Sequence, residues 1–371
     1  LVEKLQDFFI EKKTLFSYFL SSDLYRLHFM QSSFASDNFS PVHPEIMDAI
    51  QKANVGHAMA YGEDPWTEKM QGLFKKVFGP STESFLVFNG TAANVCTIKH
   101  VLSPWQAVIC SSNAHIWTDE CGAPQANTGS SLLPIETKIG KISAEQCEKY
   151  LHGKGNPHHV QPALLSITQS TELGTVYSQQ EMKNLADFAH KNGLLFHVDG
   201  ARLCNAAAHL NVTLKALTTD VGVDFLSFGG TKNGLMGAEA IVFLKEGLAK
   251  EFKYVRKQQM QLASKMRFSS AQMIGLLEGD LWLRNASHAN NMAKLLESRL
   301  KLSFPQLPIL YPVEANAVFV KLSSFQILQK LQKKSFFWIW DKEQAVARWM
   351  TSWDTQPAFI ESFIVELRNS L

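Results

Sequence analysis

Cysteine is scarce in this chain, with five in 371 residues. They stand at positions 96, 110, 121, 147 and 204, odd in number and without any Cys-x-x-Cys pair. That distribution excludes a disulfide framework and a thiolate zinc site, and it suits reduced thiols in a cytoplasmic protein. Long apolar runs are missing too: no stretch reaches the roughly 18–20 residues that a membrane-spanning helix needs. Neither charge sign dominates, with 36 Lys and Arg against 34 Asp and Glu and a net charge of +2. No basic stripe interleaved with aromatics is present, so nucleic acid is not an expected partner. The chain lacks a Gly-x-x-x-x-Gly-Lys-Ser/Thr loop and a strand-anchored Gly-x-Gly-x-x-Gly, which removes the usual nucleotide-phosphate seats. Internal repeats and low-complexity linkers are absent. No cluster of His, Cys and carboxylates has metal-ligand spacing, so no metal is assigned.

What is present describes an ordinary globule: 46% apolar and 19% charged residues, far from a disordered composition. The length exceeds the ~250–300 residues at which a single core stops growing, so two domains are expected. Residues 1–29 hold seven Phe or Tyr among mixed charges. Their longest apolar candidate, TLFSYFL, is too polar-interrupted for a secretory signal core, and Glu3, Asp7 and Glu11 argue against a mitochondrial presequence. They are expected to form an extension ahead of a large domain over 30–275 and a smaller α+β domain over 276–371.

From residue 44 onward helices and apolar strands alternate. PEIMDAIQKAN and EKMQGLFKKVFG read as helices, SFLVFNG as a strand entering the helix TAANVCTIKHVL, and AVICS as a strand. HIWTDECGAP reads as a loop or helix start, and ISAEQCEKYLHGK as an amphipathic helix. ALLSITQ, LLFHVDG, FLSFGG and AIVFL are further strands, with the helix SQQEMKNLADFAHKNG between the first two. Such alternation predicts an α/β fold with a mainly parallel sheet covered on both faces. EGLAKEFKYVRKQQMQLASKMRF is expected to form one long basic helix. Beyond ~280, HANNMAKLLESRL reads as a helix, FPQLPILYP as a Pro-punctuated strand region, and AVFVKL as a strand.

The chemistry concentrates where strands end. Lys232, in FLSFGGTKNGLMGAEAIVFL, follows one strand, and Asp199, thirty-three residues upstream in LLFHVDGAR, ends another. An amine and a carboxylate at the carboxyl ends of neighbouring strands meet where open α/β sheets bind ligands. The pairing suits pyridoxal 5'-phosphate: the amine would carry the cofactor as a Schiff base, and the carboxylate would keep the pyridine nitrogen protonated. Asn-Gly-Thr at 89–91 lies at a strand-to-helix junction, where free amides and a hydroxyl can seat a phosphate. Each motif has an ordinary alternative: an Asn-Gly turn with a Thr cap, an Asp199–Arg202 structural pair, a solvated turn lysine. Their order along the chain favours the joint reading.

Taken together, SDNFSPVHPEIMDAI, AYGEDPWT, FNGTAANV, NAHIWTDECGAP, ITQSTELGTVYS, HVDGARLCNA, SFGGTKNGLMGAEAIVF and VARWMTSWDT resemble the threonine aldolase / β-eliminating lyase group of fold-type I pyridoxal phosphate enzymes. The likeness covers about residues 33–365 and is nearest the low-specificity L-threonine aldolases. It implies a seven-stranded, mainly parallel sheet flanked by helices. It also implies that Lys232 binds the cofactor covalently, Asp199 faces the pyridine nitrogen, Gly90 and Thr91 hold the phosphate, Thr231 contacts the cofactor, and His115 stacks on its ring. Ser36, Arg202 and Arg348 match the groups that hold the substrate carboxylate, which a planar guanidinium can clamp through two hydrogen bonds. His158 or His159 matches the histidine near the substrate hydroxyl, the count favouring His158; a water is the further alternative for the base. Glu120, Gln169 and Tyr61 match positions around the pocket, Tyr61 reaching a neighbouring subunit, and Arg267 a phosphate contact across a dimer. The resemblance further implies a homodimer or homotetramer with sites at the subunit interface.

The expected reaction cleaves L-threonine, L-allo-threonine and related L-3-hydroxy-2-amino acids into glycine and an aldehyde. Arg202 and Arg348 would set the Cα–Cβ bond for cleavage while the base takes the hydroxyl proton. β-Elimination from an aromatic or otherwise β-substituted L-amino acid is the alternative on the same scaffold. A scaffold protein that binds cofactor without turnover is a third reading, against which Lys232, Asp199, Arg202 and Arg348 all stand.

Overall fold

Apolar strands buried on both faces explain the main sheet. In a computed structural model, which describes residues 33–371, β1 (Glu83–Val87), β2 (Gln106–Ser111), β3 (Ser131–Ile135), β4 (Gln161–Thr168), β5 (Leu195–Gly200), β6 (Phe225–Gly229) and β7 (Glu239–Phe243) form one sheet in the order β1-β7-β6-β5-β4-β2-β3. Only β7 runs against the others, antiparallel to both β1 and β6. Even and odd positions point to opposite faces. Ile109, Leu165, Phe196, Val198, Leu226, Phe228 and Val242 enter one apolar cluster, whereas Val108, Cys110, Leu164, Phe225, Ile241 and Phe243 enter another on the opposite face. Helices cover both layers, as the near-continuous apolar strands require.

Local chemistry sets the helix boundaries. Pro65 opens the Pro65–Phe78 helix behind the N-cap Asp64, whose carboxylate accepts from Thr67 N at 2.9 Å. Ser178 and Glu181 form a reciprocal capping box ahead of Gln179–Lys191. The Gly90–Val101 helix starts on Asn89, whose side chain accepts from Ala92 N at 2.8 Å and leaves the amides of Gly90 and Thr91 at the open helix end.

A second sheet, β8-β10-β9, is antiparallel and built from β8 (Ala317–Lys321), β9 (Trp338–Asp341) and β10 (Val346–Met350). It packs with the helices Leu281–Ser303, Phe325–Gln332 and Pro357–Arg368 around Trp349, Phe337 and Phe363. Phe34 joins this cluster from the other end of the described chain, with its ring centroid 4.7 Å from that of Phe363. Backbone bonds pin it there: Phe34 N donates to Phe336 O at 3.1 Å, and Met350 N donates to Phe34 O at 2.8 Å. Phe34–Leu371 forms one compact unit. Among the described residues no helix is long and apolar enough to cross a membrane.

Two local expectations are corrected. The long basic helix over 246–268 is instead the short Phe252–Gln258, because Glu251 and Met260 take left-handed backbone angles (φ 65° and 61°) and a separate helix, Arg267–Glu278, follows. The intervening segment is held by tertiary bonds, Tyr61 N to Ser264 O at 2.9 Å and Phe88 N to Gln261 Oε1 at 3.1 Å, which outweigh helix propensity. The segment FPQLPILYP contributes only a single bridge, Ile309 to Val320; its prolines lack the N–H groups a ladder needs. Ser131–Ile135, a segment without an assignment from sequence, is an edge strand, a place where the missing N–H of Pro134 is tolerated. The expected extension 1–29 lies outside the described residues.

Phe228 fixes the helix-to-sheet spacing beneath the site, with edge-on contacts to Phe74 at 6.0 Å and Phe78 at 5.6 Å between centroids. Phe228→Ala is expected to cost about 3–5 kcal/mol of stability, measured as a lower denaturation midpoint with an unchanged slope.

Candidate active site

Parallel pairing brings the carboxyl ends of β4, β5 and β6 to one edge, where Thr168 sits opposite Asp199, and Asp199 opposite Ser227. A three-residue turn after β6, Thr231–Asn233, carries Lys232 to the same edge. The 3-10 turn Asp37–Phe39 and strands β9 and β10 approach from the other side. Between them lies a cleft of about 520 Å³, lined among others by Ser36, His115, Glu172, Arg202, Lys232 and Arg348. Trp338, Ile339 and Trp340 of β9 supply an apolar wall.

Lys232 has no hydrogen-bond partner among the described residues and lies in the cleft. Burial pushes its amine below the usual lysine range and the Arg202 cation adds to that, against the opposing carboxylates of Asp37, Asp199 and Glu239. A neutral amine is the nucleophilic form. Asp199, 6% exposed, accepts from Asn94 Nδ2 at 2.8 Å and from Ala201 N at 3.1 Å. The same Asn94 Nδ2 donates to Glu120 Oε1 at 2.9 Å, and that oxygen also meets His115 Nδ1 at 2.9 Å. A continuous polar chain therefore runs from Asp199 through Asn94 and Glu120 to His115. The Glu120 contact raises the His115 pKa above the usual imidazole value, against partial burial.

Arg202 does not pair with Asp199. Its Nε and Nη2 grip Asp37 Oδ2 and Oδ1 at 2.7 and 2.8 Å, a two-pronged bond to a carboxylate that is 1% exposed. Burial alone would raise the Asp37 carboxyl pKa, but Arg202 more than reverses this and holds it low. Asn316 Nδ2 adds a bond to Asp37 at 3.0 Å, and Ser36 Oγ donates to it at 3.3 Å. Arg348, on β10, is less well served: one long bond from Nη2 to Ala35 O at 3.4 Å, the Trp340 ring 5.4 Å from its guanidinium carbon, and a buried Nε with no partner. Burial, with the Arg202 cation nearby, pushes it down to about 10. An under-bonded guanidinium at the cleft wall is a ready seat for a carboxylate.

Lys232, His115, Ser36, Arg202 and Arg348 thus line one cleft, with Asp199 connected to it through Asn94. Thr231 stands beside Lys232, with its amide donating to the buried Glu239 Oε1 at 3.2 Å. Gly90 and Thr91 lie on the same sheet edge at the helix end following β1, outside the cleft lining, and a Cβ at Gly90 would meet nothing within 4 Å. Their unpaired amides fit an anionic group. Gln169 is fully buried and spends both ends of its amide on Tyr177 backbone.

His158 and His159 are a correction. Both are exposed and precede β4, at the opposite end of the sheet. Eight strand residues at about 3.3 Å each separate them from the cleft edge, roughly 25 Å, so within one chain neither reaches the cleft. Tyr61, 53% exposed, and Arg267, bonded to Val55 O and Gly56 O, are likewise absent from its lining. Sequence reading missed Asp37, Asn94 and Glu172. Glu172 Oε1 accepts from His115 N at 2.8 Å and from Thr168 Oγ1 at 2.7 Å, and burial pushes its carboxyl up to about 7. Its signal was an acid just past a strand end in ITQSTEL, the same signal that singled out Asp199.

Comparison with known proteins identifies the family. A family model described as beta-eliminating lyase matches residues 33–324. Over 336 residues the chain is 43% identical to a low specificity L-threonine aldolase of Pseudomonas sp. (strain NCIMB 10558) and 41% identical to one of Pseudomonas aeruginosa, covering in each case 90% of this chain and 96% of the relative. A solved threonine aldolase of Leishmania major superposes with a TM-score of 0.86 at 28% identity, covering 91% of this chain and 98% of that one. With this family match, these relatives and this fold, the chain belongs to the beta-eliminating lyase family and stands with its threonine aldolases.

Proposed function

We propose that this enzyme cleaves L-threonine, L-allo-threonine and related L-3-hydroxy-2-amino acids into glycine and an aldehyde, with pyridoxal 5'-phosphate as cofactor. The observation that carries the reading is the pairing, in one cleft, of the unpartnered Lys232 amine with the under-bonded Arg348 guanidinium. The residues fit the cofactor. Lys232 would hold it covalently, Asp199 would face its ring nitrogen, Gly90 and Thr91 would take its phosphate with Thr231 alongside, and His115 would cover the ring. When bound, the cofactor supplies an electron sink for the pair released as the Cα–Cβ bond breaks.

The chain's own residues supply orientation and proton control. Arg348 is the principal anchor for the substrate carboxylate, because Arg202 already spends Nε and Nη2 on Asp37. Fixing the carboxylate fixes rotation about Cα, and only a bond held perpendicular to the acceptor plane breaks with its electrons delocalised. Of the groups lining the cleft, His115 is suited to take the β-hydroxyl proton, and its bond to Glu120 stabilises the cation that results. His158 could serve only from another copy of the chain. A homodimer or homotetramer would also give Tyr61 and Arg267 a role they lack within one subunit.

Product analysis tests the reading directly. Incubation with L-threonine should yield glycine and acetaldehyde in equal amounts, and pyruvate with ammonia would assign β-elimination instead. Lys232→Ala is expected to abolish turnover together with the visible absorbance of bound cofactor. Arg348→Lys, which keeps the charge and loses the fork, should raise KM about 10–100-fold with a smaller change in kcat, matching the loss of one charge-assisted hydrogen bond. A pH effect follows from Glu172, whose folded pKa lies above that of the unfolded chain. The folded protein binds this proton more tightly, so the stabilisation is complete below the unfolded pKa and drains away as pH rises through about 7. Unfolding free energies across this range should show wild type losing stability relative to Glu172→Gln as the pH rises.

A further inference from the structure

The proposed chemistry makes no use of Arg256. This residue lies on the Phe252–Gln258 helix and is 9% exposed, with its guanidinium carbon 5.3 Å from the centre of the Phe85 ring. Its one polar contact is from Nη1 to Met266 Sδ at 4.0 Å, and Nε has no partner. Among the described residues it forms no ion pair. The ionisable neighbour whose charge would balance it is Cys96, whose thiol burial pushes up to about 11 and so keeps neutral. A guanidinium stays protonated near neutral pH, so a full positive charge is withdrawn from water with only the Phe85 ring face and a thioether sulfur, and no anion, in the described chain to offset it.

Beside it is a cavity of about 160 Å³, lined by Arg256, Tyr61, Thr67, Gln71, Ser84 and Met266 among others, and sharing no residue with the catalytic cleft. Glu68, also on its wall, is solvent-exposed and makes no ion pair with Arg256. We propose that this cavity is a binding site for a small inorganic anion, a halide or a tetrahedral oxyanion, seated on Arg256. The walls give such an anion a structural consequence. Tyr61 N donates to Ser264 O, in the segment that follows the Arg256 helix. In that same segment Gln261 Oε1 accepts from Phe88 N, immediately before the Asn89-Gly90 junction. An anion that ties the Arg256 helix to this wall would therefore stiffen the approach to the proposed phosphate seat.

The test uses the full-length, cofactor-loaded protein in a buffer free of small inorganic anions, titrated with sodium bromide or sodium sulfate. The wild-type melting temperature should rise with the logarithm of anion concentration above the dissociation constant. Arg256→Met should lose that dependence, apart from any general salt effect common to both proteins, and should melt above wild type when anions are withheld. Arg256→Lys should retain a weaker dependence. Crystals of wild type soaked in bromide should show an anomalous peak at hydrogen-bond distance from the Arg256 guanidinium. An equal anion response in Arg256→Met would overturn the site, as would a cavity holding no bromide or one filled by a carboxylate from a second copy. Should Arg256→Met fail to fold, the bromide experiment on wild type decides alone. Glycine release from threonine is measured separately, so failure of the anion site leaves the aldolase reading standing.

Discussion

The two-pronged bond between Arg202 and Asp37 is the constraint from which the site is assembled. It joins the end of β5, in the large sheet, to the turn that follows Phe34, which is itself locked into the core of the small sheet. Neither charge could stay buried alone, since an unpaired ion in this environment would be strongly destabilising. The pair therefore does more than neutralise: it sets how far the strand carrying Arg348 stands from the strand ends carrying Asp199 and Lys232. Asn316 strengthens the joint by binding Asp37 and the Thr351 carbonyl with one amide nitrogen.

Charge in the cleft is arranged so that the groups needing reactivity are the ones left under-bonded. Asp37 and Arg202 satisfy each other, whereas Lys232 and Arg348 face the cleft with few or no hydrogen bonds and depressed pKa values. Arg202 contributes to both depressions. The same burial that lowers the amine raises Glu172 and Glu239, so cations and carboxyls near the sheet edge are both drawn toward their neutral forms. A dry edge of this kind suits chemistry that moves protons between weakly charged groups.

Much of this was readable in the chain itself. Apolar strands ending in Asp199 and followed by Lys232 announced both the parallel sheet and the edge on which the site would form, because those signals are local and repeated. Helix starts at Pro65, Gly90 and Gln179 were legible within a few residues, since capping chemistry lies in adjacent positions. Contacts between distant segments left no such trace. Asp37 sits 165 residues from Arg202 and has no local pattern to distinguish it from any surface acid. His158 failed for a related reason: proximity in sequence to a strand says nothing about which end of that strand faces the ligand. The break in the expected helix over 246–268 was likewise decided by bonds to Tyr61 and Phe88, not by the residues within it.

A single amide nitrogen, that of Asn94, bridges the carboxylates of Asp199 and Glu120, and Glu120 in turn holds the imidazole of His115. Since only the nitrogen end can serve two acceptors, the orientation of the amide is settled, and its oxygen is left buried without a partner. His115, which would cover the cofactor ring, and Asp199, which would face its nitrogen, are in this way wired to a common hinge. A proton gained or lost on the imidazole would alter the pull on that shared nitrogen, and the Asp199 carboxylate would feel it with no movement of the backbone.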